Sequence, residues 1–174
     1  STSGNDTYYI TTAGALYGMG DNGNGQIGNG TTTDVKTPYQ IASSGVASVS
    51  TDGFETYYIT TAGALYGMGR NNSGQMGDGT TTDVTSPYQI VSSGVSSIYI
   101  GQQSVYYISD QKDLYGWGRN DKGQMGDGTT TNVTAPYQIA SSVEKVFTKS
   151  SSKTTYYLTS SGSLYGMGSG NYGQ

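Results

Sequence analysis

TYYITTAGALYGMG spans residues 7–20 and returns letter for letter at 56–69. Two altered copies follow, VYYISDQKDLYGWG at 105–118 and TYYLTSSGSLYGMG at 155–168. From Tyr8 to Tyr57 to Tyr106 to Tyr156 the steps are 49, 49 and 50 residues. A fixed period of this size marks an array of supersecondary units, each needing its neighbours to bury a core. In the second copy Thr56–Thr60 is β-branched and aromatic, which predicts a strand. Thr61-Ala62-Gly63 predicts a turn with glycine at positive φ, and Leu65–Gly69 the returning strand of a hairpin. Residues 70–83 (RNNSGQMGDGTTTD) are too rich in Gly, Asn and Asp for regular structure and predict a long ordered loop. Pro87 is expected at the first position of a third strand, where a missing N–H is tolerated, and Val95–Ile100 as the fourth. Four short antiparallel strands per unit of about 50 residues, with no helical periodicity, give an all-β fold of propeller blades. The units run 1–49, 50–98 and 99–148, with a partial fourth at 149–174, about 3.5 repeats in one repeat domain.

A further repeated pattern runs from the returning strand of each of the first three hairpins: LYGMGDNGNGQIGNG at 16–30, LYGMGRNNSGQMGDG at 65–79 and LYGWGRNDKGQMGDG at 114–128. These stretches, each followed by a proline-led strand, resemble the repeat of the regulator-of-chromosome-condensation family of β-propellers. The resemblance covers essentially the whole chain. Two departures matter. The family often places His two residues before the Tyr-Tyr pair, where Asp6, Glu55, Ser104 and Thr154 stand, and this chain has no His. Its usual Trp survives as Trp117 and is replaced by Met19, Met68 and Met167, a change a flexible thioether can absorb in packing.

Seven blades are usual in the family it resembles. Ser1 aligns with Ser50, and Gln174 with Gln26, Gln75 and Gln124, so the 174 residues are expected to be a segment of a longer array or, alternatively, a short subunit. Two chains would carry eight Tyr-Tyr hairpins but six Pro-Tyr-Gln segments, which does not make a simple seven-bladed ring. An open array exposes strand edges, and edges invite pairing with another copy.

Only 33% of the residues are hydrophobic and 11% are charged, yet 17 tyrosines recur in register, which a disordered chain would lack. The net charge of −4 argues against nucleic acid as a partner, because phosphate contacts need clustered Lys and Arg. The one basic cluster, Lys145, Lys149 and Lys153, lies beside Glu144 and reads as a solvated edge. Without Cys there are no disulfides, thiol nucleophiles or thiolate metal sites, and no apolar run is long enough to span a membrane. A Tyr, Thr, Ser, Asn and Gly-rich chain with little charge resembles the secreted or cell-surface proteins of microbes.

The chemistry-bearing residues are few. Asp34 and Asp83 correspond to Asn132, and Asp78 and Asp127 to Asn29; a catalytic carboxylate does not drift to amide, whereas a turn or capping side chain can. Residues 21–30 (DNGNGQIGNG) suggest a calcium loop, but glycines occupy the ligand positions and Arg70 and Arg119 replace Asp21. No catalytic residue, cofactor or metal is therefore expected. Gly25, Gln26 and Gly28, repeated as Gly74, Gln75 and Gly77 and as Gly123, Gln124 and Gly126, form the structural motif; a buried amide can satisfy several backbone groups at once. Tyr39, Tyr88 and Tyr137 either pack in the core or form a repeated contact surface for a partner or sugar rings. Glycosylation sequons begin at Asn5, Asn29, Asn71 and Asn132. The copies differ most at 51–55, 100–104, 149–154 and 110–113, so one face is a candidate binding surface.

The expected function is a non-enzymatic structural or adhesive module of a microbial surface or extracellular assembly, whose main partners are copies of itself. The alternative is a closed propeller recognising a glycan or protein. The family resemblance also implies nucleotide exchange on a small GTPase and chromatin binding. Those functions rely on inserts that break blade symmetry, and no such insert stands here.

Overall fold

A computed structural model describes residues 2–170; Gln174, aligned above with the other glutamines, lies outside the described residues. The described residues form four antiparallel sheets and no helix. The first holds β1 (Thr2–Ser3), β2 (Asp6–Ile10), β3 (Leu16–Gly20) and β4 (Val35–Ala42). The second holds β5 (Val46–Thr51), β6 (Glu55–Thr60), β7 (Leu65–Gly69) and β8 (Val84–Val91). The third holds β9 (Val95–Ile100), β10 (Ser104–Ser109), β11 (Leu114–Gly118) and β12 (Val133–Ala140). The fourth has three strands, β13 (Val143–Phe147), β14 (Thr154–Thr159) and β15 (Leu164–Gly168). Each is a simple meander, the strand order of a propeller blade.

The hairpins stand as the sequence predicts. Gly63 takes φ of 76° in the turn, and the strands pair Thr56 with Met68 and Ile59 with Leu65. In every sheet the register places two tyrosines opposite each other and their rings stack: Tyr9 on Tyr17, Tyr58 on Tyr66, Tyr107 on Tyr115 and Tyr157 on Tyr165, with centroids 4.8–5.2 Å apart. Such cross-strand aromatic pairs lock the register of short strands.

Two expectations need correction. Pro87 is the fourth residue of β8, not its first. The register jumps from Gly67–Tyr88 to Gly69–Val84, so Pro87 sits in a bulge where no ladder N–H is required. The strand Val95–Ile100, assigned above to the second unit, pairs with β10 and opens the third sheet.

The chain divides into two compact units. One comprises the residues up to Asn72 with Thr81–Gly94, and the other Ser73–Thr80 with Val95 onward. The first unit buries Tyr8, Leu16, Ile27, Val46, Tyr58 and Met68 in one cluster. The second buries Tyr106, Ile108, Leu114, Met125, Val143 and Val146. Tyr8, Leu16 and Ile27 correspond in the repeat to Tyr106, Leu114 and Met125, so the two cores share these positions.

Candidate functional site

The long loops come first, because they carry the most regular polar residues. In the loop between β3 and β4 the fully buried Asn22 is the hub. Its Nδ2 donates to the carbonyls of Thr31 (2.9 Å) and Thr33 (3.0 Å) and to Asn29 Oδ1 (3.1 Å). Its Oδ1 accepts from the Ile27 N–H (2.9 Å), and its own N–H donates to Asp34 Oδ1 (3.1 Å). Asn120 repeats the arrangement with Thr129, Thr131, Asp127, Met125 and Asn132. In the second loop the Asn71 N–H donates to Asp83 Oδ1 at 2.8 Å. This hub was not singled out from the sequence, where Asn71 is read only as the start of a sequon; being wholly buried, it is closed to glycosylation in the fold. The signal was present in the form of an Asn two residues after Gly20, Gly69 and Gly118.

Around the hub the acidic and amide side chains act as turn caps. Asn29 Oδ1 accepts from the Thr31 N–H at 3.0 Å, and Asp78 and Asp127 accept from Thr80 and Thr129 at 2.9 Å. Only an acceptor oxygen is needed, which is why Asp and Asn interchange. Asp21, the first residue of the suspected calcium loop, caps the Gly23 N–H at 2.9 Å. Among the described residues no three His, Cys, Asp or Glu side chains gather as a metal site.

Gln26, Gln75 and Gln124 are fully buried. Their side-chain oxygens accept from the N–H two residues earlier, at Asn24 (2.9 Å), Ser73 (2.6 Å) and Lys122 (2.8 Å). Gln26 Nε2 reaches across to the Gly53 carbonyl of the second sheet at 3.2 Å. The glutamine carbonyls are also used: Tyr8 donates its hydroxyl to Gln26 O at 2.8 Å, Tyr106 to Gln124 O at 3.0 Å, and the Trp117 indole N–H donates to Gln75 O. Gly25 has φ of 80°, and a Cβ there would lie 2.8 Å from Thr85 Cα. The loop therefore touches the neighbouring sheet backbone to backbone. These motif residues splice one sheet to the next, and their polar atoms are turned inward.

The tyrosines of the Pro-Tyr-Gln strands behave differently. Tyr39, Tyr88 and Tyr137 stand opposite Gly18, Gly67 and Gly116 on the outermost strands and remain 41%, 41% and 45% exposed. They lie outside the two buried clusters. The β5–β6 turn, one of the variable stretches, presents Phe54 at 48% exposure with the Arg70 guanidinium 4.2 Å from its ring centroid. Arg70 Nε also pairs with Glu55 Oε1 at 3.0 Å. Burial pushes the Glu55 carboxyl up to about 9, against the pull of Arg70 and with the nearby Asp52 adding to the rise. Of the basic cluster, Lys145 and Lys149 are exposed, and Lys145 lies over the Phe147 ring at 5.3 Å.

A fold of four-stranded meanders joined by buried Gly-Gln loops defines a class of propeller-repeat proteins. The sequence profile of the regulator of chromosome condensation (RCC1) repeat matches residues 13–51, 62–108 and 113–152, and the chain belongs to this family. No curated protein matches the chain by sequence. Among solved structures it is similar to human WBSCR16, with a TM-score of 0.79 and 20% identity over 95% of this chain and 45% of that one. It is also similar to Prp20p from Saccharomyces cerevisiae, with a TM-score of 0.73 and 18% identity over 95% of this chain and 44% of that one. Yeast RCC1 (Prp20) bound to Kap60 matches with a TM-score of 0.73 and 17% identity, over 94% of this chain and 40% of that one. The chain spans less than half the length of each of these proteins. At these identities the likeness is one of fold. Among the described residues no helix is long and apolar enough to cross a membrane.

Proposed function

We propose that the chain is a non-enzymatic structural or adhesive module of a microbial cell surface or extracellular assembly, which works by contact and associates with copies of itself. The observation that carries this reading is the series Tyr39, Tyr88 and Tyr137. The same phenol, at the same position of three outermost strands, is left about half exposed while the polar loop residues are consumed in internal bonds. Tyrosine offers a large, stiff contact area with a hydroxyl that tolerates water, so a repeated row suits a contact surface. The low charge of the chain leaves little to hold copies apart. Light scattering with negative-stain microscopy of the purified chain tests the reading. Fibres, sheets or a mass that grows with concentration is the expected result; a compact particle of fixed mass overturns it.

A second reading is a binding module for a glycan or protein. Phe54, half exposed on a variable turn and capped by Arg70, supports it, and yeast Prp20 was solved bound to a protein, Kap60.

A further inference from the structure

Asn-Gly occurs three times in the chain, as Asn22-Gly23, Asn24-Gly25 and Asn29-Gly30, and all three lie in the loop between β3 and β4. The loops after β7 and β11 have none. There Asn72 and Asp121 replace Gly23, Ser73 and Lys122 replace Asn24, and Asp78 and Asp127 replace Asn29. A glycine has no Cβ to keep its nitrogen from the carboxamide carbon of the asparagine before it, which makes that asparagine chemically labile.

The fold treats the three carboxamides differently. Asn22 is fully buried and held at both ends: its Nδ2 donates to the Thr31 and Thr33 carbonyls, and its Oδ1 accepts from the Ile27 N–H. Asn29 is half-buried, and its Oδ1 accepts from the Thr31 N–H (3.0 Å), the Thr31 hydroxyl (2.9 Å) and Asn22 Nδ2 (3.1 Å). Asn24 is half-buried as well, but among the described residues its carboxamide makes no hydrogen bond. Its backbone N–H, not its side chain, donates to Gln26 Oε1 at 2.9 Å. The attacking nitrogens are more alike. Each glycine N–H is already bonded, Gly23 to Asp21 Oδ1 (2.9 Å), Gly25 to the Asn22 carbonyl (2.9 Å) and Gly30 to the Thr85 carbonyl (2.7 Å). The difference rests with the carboxamides, and only that of Asn24 can turn toward its own glycine without first leaving a partner.

We propose that Asn24 is a self-modification site of the folded chain. The Gly25 nitrogen bonds to Asn24 Cγ, the Cγ–Nδ2 bond breaks, and the proton lost from Gly25 N leaves with Nδ2 as ammonia. Water then opens the five-membered imide. Attack of water at Cγ gives an aspartate. Attack at the main-chain carbonyl carbon gives an isoaspartate, whose main chain runs through Cγ and is one carbon longer. One water is consumed and one ammonia released, with no oxidant or reductant. The aspartate is tolerated, because Ser73 and Lys122 already stand at this position in the other loops. The isoaspartate is not. Beside it Gly25 lies against Thr85, where a Cβ would stand 2.8 Å from Thr85 Cα, and the Gln26 carbonyl accepts from the Tyr8 hydroxyl. An extra main-chain carbon displaces these contacts between the first loop and its neighbours. The inference is independent of self-association.

The full chain is incubated folded in mildly alkaline buffer, and in the same buffer with urea, then digested with pepsin in acid and sequenced by tandem mass spectrometry. In the folded chain, conversion of amide to acid is expected at Asn24 at least about tenfold faster than at Asn22 or Asn29, because freeing either of those breaks hydrogen bonds that Asn24 lacks. In urea the three are expected to convert at similar rates, since all precede glycine. Ammonia release by the folded chain is expected to fall severalfold in Asn24→Ser, which carries the residue of the second loop. Conversion that comes first at Asn22 or Asn29, or an Asn24 that stays amide in the folded chain while the urea control converts, overturns the assignment. Ammonia release by folded Asn24→Ser equal to the parent's overturns it as well.

Discussion

Tyr8 and Thr56, separated by 48 residues, share a buried hydrogen bond of 2.9 Å between their hydroxyls. Tyr8 passes its own proton to the Gln26 carbonyl at 2.8 Å, so one phenol ties the second sheet to the Gly-Gln loop of the first. Desolvation raises the Tyr8 hydroxyl far above the usual tyrosine range, which keeps it a neutral donor. Tyr8→Phe leaves Gln26 O without this donor and is expected to destabilise the chain by about 1–2 kcal/mol. Thr56→Val is sterically mild, since Val105 stands at that position in the third copy, and is expected to cost about 1 kcal/mol. Urea denaturation of both single variants and the double variant checks the pair. A coupling energy of about 0.5–1 kcal/mol is expected, and strict additivity would deny the shared bond.

The asparagine hub and its caps are expected to respond very differently to mutation. Asn120→Ala strips the acceptor from the buried Met125 N–H and the donor from the Thr129 and Thr131 carbonyls. A loss of about 2–4 kcal/mol is expected from several stranded polar groups. Asp34→Asn is expected to change stability by less than about 0.5 kcal/mol, because an amide oxygen serves equally well. Asn132 already does this work in the third loop, accepting from the Asn120 N–H at 3.0 Å. Equal losses at the two positions, read from denaturation midpoints, would contradict this division of roles.

The same residues show what the sequence makes legible. The hairpins could be read because Thr56–Thr60 and Leu65–Gly69 combine strand composition with a glycine turn, and both signals are local. The sheet to which Val95–Ile100 belongs could not, since a three-residue connection with a glycine is equally compatible with a hairpin back to β8 and with pairing onward to β10. Pro87 was misplaced because its position depends on a bulge opposite Met68, set by how the long loop returns rather than by the strand's own residues. Asn120 was hidden by its setting. In a stretch already full of Asn and Gly, a hub and an ordinary turn residue look alike. The exposure of Tyr137 follows from its place on an outermost strand, a fact about strand order that no window of sequence contains.

Two glycines with the same backbone conformation separate close contact from conformational strain. Gly25 and Gly79 have φ of 80° and 82°, but a Cβ on Gly25 would stand 2.8 Å from Thr85 Cα, whereas one on Gly79 would meet nothing within 4 Å. Gly79→Ala is expected to cost about 1 kcal/mol, the penalty of a left-handed alanine. Gly25→Ala adds a clash with backbone, and is expected to cost about 3 kcal/mol in all. Thermal denaturation of both variants distinguishes the terms; similar shifts would mean that the loop can lift from the second sheet at little cost.

Glu55 gives the chain a pH dependence of definite sign. Its carboxyl is 1% exposed and titrates at about 9 in the folded protein, against 4.5 for an unburied glutamate. Between those values the folded chain holds a proton that the unfolded chain has released, so stability falls as pH rises through the window and levels off above it. Arg70 at 3.0 Å opposes the shift, but desolvation of the charged form outweighs it. Glu55→Gln keeps the shape and removes the titration; Ser104 at the same position of the third copy shows that the blade needs no carboxylate there. Relative to the parent, Glu55→Gln is expected to gain stability steadily from about pH 4.5 to about pH 9. Urea midpoints of the two chains across that range decide the matter, and parallel curves would place the Glu55 proton in the unfolded and folded chains alike.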